Sequence, residues 1–418
     1  MQLAELFRLT SSGAWGVIRG MRKRRIAAIV MALLPFVLGG CPAQSQEPVP
    51  SPAAGNVTEA SAQSAVHMQH YIENETFVPV MNALPQGLDV VEIYADTQGR
   101  HPLVVLTHGT STDPAERLHV TPWAQFNQAL WFARRGYVAL VVVRKGYGRS
   151  GGKQDVQAGG CGPRGSFREA GEASTVDLEA VMHWAASRPE VDSATIVSAG
   201  VSTGGFAQVA LSAEPPKGLK AAISFAGGRG SDGKEHNCDL DGVAHAFHSF
   251  GKDAAKHGGL PMLWIYAQND HYFPPAMATK FDEAYRQGGG VDEFVMMAPD
   301  GEDGHHLYSH PDVWGGTVTA FLKSHALLPL GDQVLPPPSV QNVPAPAGLV
   351  GRGLEAWGRF LAGAPYKAFA TTGGTEWGLA TGVFDQAIAD QEAKERCMKA
   401  ADTNAHACKV VARTPGVK

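Results

Sequence analysis

Several absences bound this 418-residue chain before any motif is read. Charged residues make up only 18% of it, and the net charge is −5 with no basic stripe. Nucleic acid is therefore not an expected partner. The 16 histidines form no H-E-x-x-H pattern, and the 5 cysteines have no paired zinc spacing. Neither a metal nor another cofactor is expected. The longest apolar run near the amino end, Ile26 to Leu38, is too short for a spanning helix. What remains is an ordinary globular balance, 44% hydrophobic, with length for one large domain and a smaller one.

The amino end reads as an export signal. Arg22-Lys23-Arg24-Arg25 precedes the Ile26 to Leu38 run, and small residues follow it. Met21, directly before the basic residues, is an alternative start. Leu38-Gly39-Gly40-Cys41 resembles the bacterial lipoprotein lipobox. That resemblance implies cleavage before Cys41, lipid on its thiol, and a periplasm-facing place in the cell envelope. The competing reading is an uncleaved anchor. Residues 1–41 are thus signal and lipobox. Residues 42–65, rich in Pro, Ala, Ser and Gln, read as a flexible tether. The other four cysteines suggest two disulfides in an exported protein, with Cys161–Cys238 and Cys397–Cys408 the favoured pairs of three pairings. Free buried thiols are the alternative.

From residue 66 to 326, apolar strand-like runs alternate with helical spacing. The strands read are Leu88–Ala95 (half exposed, from its alternation), Pro102–Thr107, Tyr137–Val143, the run into Val201, Ala221–Ala226, Pro261–Ala267 and Glu293–Ala298. Helices fall between them, at Trp123–Arg135, Ala170–Ser187, Asp241–His257, Ala276–Gln287 and Trp314–His325. This alternation predicts an α/β fold with a mainly parallel, doubly wound sheet. Ligands then sit at the carboxyl ends of the strands.

One of those ends carries Gly200-Val201-Ser202-Thr203-Gly204, a G-x-S-x-G behind a buried strand. A nucleophilic serine needs a sharp strand-to-helix turn, and the glycines let neighbouring chain pass close by. A second end carries Asp270, and the last is followed by Gly304-His305-His306. His306 and His310 compete with His305, and Asp300 and Asp303 compete with Asp270. Gly304 favours His305. The loop setting of Asp300 and Asp303 reads as turn chemistry. Gly146 to Gly151 matches G-x-G-x-x-G, but a loop rather than a helix follows it, which argues against dinucleotide binding.

The order nucleophile, acid, base resembles the α/β-hydrolase fold over roughly Leu88 to His325. The stretches LTHGT, RKGYGRSGG, FAGGRG, LWIYAQNDHYF and GEDGHHLY resemble bacterial dienelactone hydrolase-like proteins. The resemblance implies a serine hydrolase without a cofactor. Ser202 would be the nucleophile, Asp270 the acid and His305 the base. The backbone N–H groups of Thr110 and Thr203 would form the oxyanion hole. Serine in place of the cysteine of dienelactone hydrolases proper favours general carboxylic esters, small molecules cleaved through an acyl-enzyme. A peptidase on the same fold and a non-catalytic envelope binding protein are the rivals. Arg229 is the expected substrate contact, with Arg144 and Tyr147 behind it; salt bridging or packing is the alternative for all three. His108 is expected to order the oxyanion loop.

Residues 327–347 read as a Pro-rich linker. Residues 348–418 read as a small α+β module: a hairpin of Tyr366–Thr372 and Glu376–Thr381 across Gly373-Gly374, a helix over Asp385–Ala400, and a strand over Cys408–Ala412, stapled by Cys397–Cys408. The sequence leaves the acyl chain, the membrane leaflet and the oligomeric state open.

Overall fold

The computed structural model describes residues 70–154, 166–338, 343–401 and 408–414. The signal, Cys41 and the tether lie outside the described residues, and so does Cys161. Residues 65–418 form one compact unit. No described helix is long and apolar enough to cross a membrane.

The large sheet is built in chain order from β1 (Tyr71–Val78), β2 (Leu88–Ala95), β3 (His101–Thr107), β4 (Val138–Val142), β5 (Val191–Val201), β6 (Leu219–Phe225), β7 (Met262–Ala267) and β8 (Glu293–Met297). Its strand order is β1-β2-β4-β3-β5-β6-β7-β8. The first two strands pair antiparallel, and from β4 onward every neighbouring pair is parallel. Six helices cover it: α1 (Phe126–Ala133), α2 (Phe167–Ala185), α3 (Thr203–Ala213), α4 (Leu240–Lys256), α5 (Pro275–Gly288) and α6 (Pro311–Ser324). One apolar layer joins strand residues to α2, α3, α4 and α5 through Phe206, Phe247, Phe250 and Phe281. The other joins the opposite sheet face to α1 and α6 through Phe132, Trp314 and Phe321. Burial on both faces explains why β3, β4 and β7 are continuous apolar runs. The fold class expected from the sequence is the one observed. Helix α3 is buried at every residue, as its small apolar composition requires.

Two sequence expectations need correction. Strand β2 is not half exposed: seven of its eight residues are buried, including Asp89 and Glu92. Both of its faces are buried, and Asp89 and Glu92, three residues apart and so on opposite faces, are each reached by an arginine. Arg149 Nε lies 3.1 Å from Asp89 Oδ2, and Arg188 Nη2 lies 3.3 Å from Glu92 Oε2. Strand β1 was not foreseen, because most of its residues between Tyr71 and Val78 are polar and part-exposed, as an edge strand permits.

The Pro-rich segment is strapped to the body rather than free along its first half. Arg134 Nε donates to Leu335 O (2.8 Å), and Tyr71 Oη donates to Pro336 O (2.6 Å). Beyond it come α7 (Arg352–Ala362), β9 (Ala368–Thr371), β10 (Trp377–Ala380), α8 (Gln386–Ala401) and β11 (Lys409–Arg413). The strands form a second, antiparallel sheet in the order β10-β9-β11. Helix α7 was missed by sequence reading, where four glycines in and beside it (Gly351, Gly353, Gly358 and Gly363) blurred its periodicity. The Cys397–Cys408 disulfide is present, tying α8 to the start of β11. Cys238 is disulfide-bonded too. Thr121 Oγ1 donates to Gly382 O (3.0 Å), and the Arg149 guanidinium lies 5.0 Å from the Phe384 ring, so the module packs on the body.

Burial pushes the Asp89 carboxyl from 3.8 up to about 7, despite its arginine neighbour. The folded state therefore holds this proton more tightly than the unfolded chain. The associated stability is fully present below the unfolded value and is lost as pH rises through about 7. The variant Asp89→Asn, which cannot ionise, should gain Tm over the wild type as pH rises from about 4 to about 8. A difference in Tm that stays flat across that range would contradict this.

Candidate active site

Strand β5 runs into Ser202, whose backbone sits at φ 57°, ψ −120°, before α3 begins at Thr203. A non-glycine residue at positive φ is strained and persists only where its surroundings hold it. Here Ser202 N–H donates to Phe225 O (2.9 Å), and Ser202 O accepts from Phe206 N (2.9 Å) and Gly228 N (3.2 Å). The flanking glycines are required by close approach. A Cβ on Gly200 would lie 2.5 Å from Gly204 O, and one on Gly204 would lie 2.5 Å from His108 O. Gly109 comes as close: a Cβ there would lie 2.9 Å from that of Ser202.

Just past the end of β7, Asp270 is buried and accepts hydrogen bonds from three donors. Its Oδ1 takes the N–H groups of Tyr272 and Phe273 (both 2.8 Å). His305 Nδ1 stands 3.1 Å from each carboxylate oxygen. His305 is the second residue of a short 3-10 turn (Gly304–Ser309) whose cap is Asp303, which accepts the N–H of His305 (2.9 Å) and of His271 (3.0 Å). Burial works to raise the Asp303 carboxyl, but those two backbone donors outweigh it and hold it below the usual range. A Cβ on Gly304 would lie 2.5 Å from both Ala267 Cβ and Asn269 Oδ1. Only glycine lets this turn close on β7, which is how Gly304 selects His305. His306 is exposed, and His310 pairs with Asp300 (2.5 Å) away from Asp270.

The serine opens on a pocket of about 410 Å³ that also meets Thr110, Thr203, Arg229, Tyr272 and Phe273. The Tyr272 ring stacks on the His305 imidazole at 4.2 Å, and Phe273 lies 5.6 Å from it. Asp270 and His305 are thus hydrogen-bonded, and two of the rings around the imidazole also wall the serine's pocket. Among the described residues no hydrogen bond joins His305 to Ser202.

The two expected oxyanion residues meet: Thr110 Oγ1 and Thr203 Oγ1 are 2.8 Å apart. Among the described residues no hydrogen bond is made by either backbone N–H, which leaves both available as donors beside Ser202. Arg144 is not in the pocket wall. It is buried behind the loop, where Nη2 donates to Thr203 Oγ1 (2.9 Å) and His108 O (3.0 Å). Its backbone N–H donates to His108 Nε2 (3.1 Å), so His108 Nδ1 carries the proton that meets Gly109 O (2.5 Å). Burial first, and the Arg144 charge second, push His108 down to about 3, which keeps the ring neutral. Tyr147 is buried too, its hydroxyl 2.9 Å from Thr110 Oγ1 and its ring edge-on to His108. Arg144 and Tyr147, expected as substrate contacts, thus meet the Thr110 loop from behind, a setting that spacing along the sequence does not separate from facing the pocket.

Arg229 does line the pocket, but its Nη2 is also anchored to Ala170 O (3.1 Å) and Ser174 Oγ (2.9 Å) on α2. Arg117 is a pocket residue that sequence reading missed; it sits in a short 3-10 turn with no motif to flag it. Among the described residues no cluster of side chains could hold a metal ion. The Gly146–Gly151 turn closes on itself through Gly146 N–H and Gly151 O (2.9 Å), and no helix begins there.

A parallel sheet in this strand order, with a strained serine elbow at the end of β5 and an acid–base pair beyond β7 and β8, is the α/β-hydrolase architecture. The X-Pro dipeptidyl-peptidase (S15) family profile matches residues 88–260, a span that contains the elbow. The chain thus has the α/β-hydrolase fold. Solved structures similar to it include a dienelactone hydrolase described as putative from Klebsiella pneumoniae (17% identity, 61% of this chain and 99% of that one, TM-score 0.41). An esterase from Pyrococcus furiosus aligns at 16% identity, over 66% and 98% of the two chains, with TM-score 0.42. The acylaminoacyl peptidase of Pyrococcus horikoshii aligns at 15%, over 62% of this chain and 41% of that one, with TM-score 0.43. No curated protein matches the chain.

Removing the brace behind the oxyanion loop should cost turnover more than binding. Arg144→Met should lower kcat for an activated ester by about 10²-fold, near the loss of one oxyanion donor, with KM changed little. Arg144→Lys should fail to restore it, because an ammonium lacks the planar fork. Full rescue by lysine would show that charge alone suffices.

Proposed function

We propose that this protein is a serine hydrolase that cleaves carboxylic esters through an acyl-enzyme. The observation that carries the reading is the Asp270–His305 hydrogen bond beside a pocket into which the strained Ser202 opens. A serine hydroxyl attacks poorly until an imidazole takes its proton. In the proposed cycle His305 Nε2 accepts the Ser202 proton as Oγ bonds to the substrate carbonyl carbon. Asp270 holds the Nδ1–H tautomer and stabilises the imidazolium that forms. The Thr110 and Thr203 N–H groups meet the negative oxygen. His305 then returns the proton to the leaving alcohol. Water repeats the sequence on the acyl-enzyme and releases the acid. Bringing Nε2 to Oγ is the closing step that substrate would complete, since catalytic hydrogen bonds often tighten only in the complex.

The second reading is a peptidase, favoured by the family match over residues 88–260. It needs an acidic group to hold a substrate amine. Asp232, at the pocket wall, is such a group, whereas Arg117 and Arg229 favour an anionic substrate. Parallel assays with p-nitrophenyl esters and aminoacyl-p-nitroanilides separate the two, and faster nitroanilide cleavage would favour the peptidase. The export signal adds a further proposal, a lipid anchor at Cys41 facing the periplasm, which mass spectrometry of the membrane-extracted protein tests.

Ser202→Ala should abolish labelling by a fluorophosphonate, and Asp270→Asn should lower kcat by about 10⁴-fold by stabilising the wrong tautomer. Labelling that survives in Ser202→Ala would remove the nucleophile assignment. Arg229→Ala should raise KM for an anionic ester more than for a neutral one. Equal increases would assign Arg229 to holding α2 alone.

A further inference from the structure

The C-terminal module carries a concave surface that the hydrolytic site does not use. A trough of about 680 Å³ is lined by Arg352 and Arg359 of α7, Arg396 of α8, and Glu376 and Trp377 at the start of β10. Its charges are not spent on one another. Glu376 is satisfied by the hydroxyls of Thr372 and Thr375 (both 2.8 Å), which hold its carboxyl below the usual range. Arg396 pairs with Glu392 (2.6 Å) along α8. Among the described residues, Arg352 and Arg359 make no side-chain hydrogen bond or ion pair. The lining therefore holds three guanidinium groups against one carboxylate in a chain whose net charge is −5.

Trp377 gives the trough its second chemistry. Its indole is part-exposed and stacks behind on Phe369, with ring centres 6.1 Å apart. Gly353 lets α7 pass flush against it, since a Cβ there would lie 3.2 Å from the indole Cδ1. A rigid, half-open aromatic face is thus fixed beside free guanidinium groups. Arg352 and Arg359 are seven residues apart on one helix, about 10.5 Å along its axis. An extended chain with repeated acidic groups matches that spacing.

We propose that this trough binds an anionic glycan. Its carboxylates or phosphates pair with Arg352, Arg359 and Arg396, and the apolar face of a sugar ring lies on Trp377. Guanidinium forks suit such oxyanions, and an indole offers flat apolar area with little entropy to lose. Single-stranded DNA, which also combines anions with flat rings, is the competing polyanion, and binding of it tighter than of either anionic glycan would overturn the proposal.

The test uses the chain from Pro42 onward and measures binding by calorimetry at low salt. The probes are polygalacturonate for carboxylates, a phosphorylated dextran for phosphates, neutral dextran, poly-glutamate, and single-stranded DNA. Binding of either anionic glycan, but not of neutral dextran, is expected. The exposed pair Arg352→Gln/Arg359→Gln should weaken it about tenfold or more while ester hydrolysis and Tm stay unchanged. Trp377→Leu should weaken the glycans further but leave poly-glutamate unaffected. The proposal is overturned if neither anionic glycan binds, if the arginine variant binds them as well as the wild type does, or if poly-glutamate binds as tightly as the glycans. The last result would make the trough an acidic-peptide site. Because hydrolysis is read separately, loss of glycan binding with normal turnover leaves the Ser202 assignment standing.

Discussion

The turn at Ser202 is the constraint on which the site depends. Its backbone occupies a conformation that an L residue resists, and it stays there because β6, α3 and the loop after β3 close on it from three sides. That closure explains why Gly109, Gly200 and Gly204 have no side chains, since a methyl group at any of them would overlap its neighbours. It also brings the Thr110 loop within reach of Thr203. The strained residue and the two prospective oxyanion donors are therefore consequences of one packing arrangement.

Around that turn, polar groups divide into those that face the pocket and those that hold its wall. His108, Arg144 and Tyr147 form a buried network behind the oxyanion loop, in which a neutral imidazole lies beside a guanidinium. Hydrogen bonds to backbone carbonyls and threonine hydroxyls tie its members together. Tyr272 and Phe273 do comparable work on the other side. Their N–H groups fix Asp270, and their rings pack against His305. One short segment thus orients both the acid and the base.

Much of this was legible beforehand. Buried parallel strands announce themselves as continuous apolar runs, so β3, β4 and β7 were read close to their ends. The elbow was readable because a serine on a tight turn needs glycines at fixed offsets, and Gly304 favoured His305 over its neighbour His306. Strand β2 misled because alternation does not say what covers either side, and here buried Asp89 and Glu92 meet arginines from distant segments. Strand β1 and helix α7 were missed, one for its polar edge and the other for its glycines. The setting of Arg144 was not legible, because a residue after a strand can face a pocket or lie behind the loop, and spacing is the same in both cases.

Local pattern and steric demand, both properties of neighbours along the chain, determined the α/β class, the serine elbow, the order of acid and base, and the staple from Cys397 to Cys408. Tertiary structure alone decided which arginines wall the pocket, that Asp270 and His305 meet, and that Arg352, Arg359 and Trp377 share one trough. Those are relations between segments far apart in sequence, set by how helices and strands pack, and no short-range period encodes them.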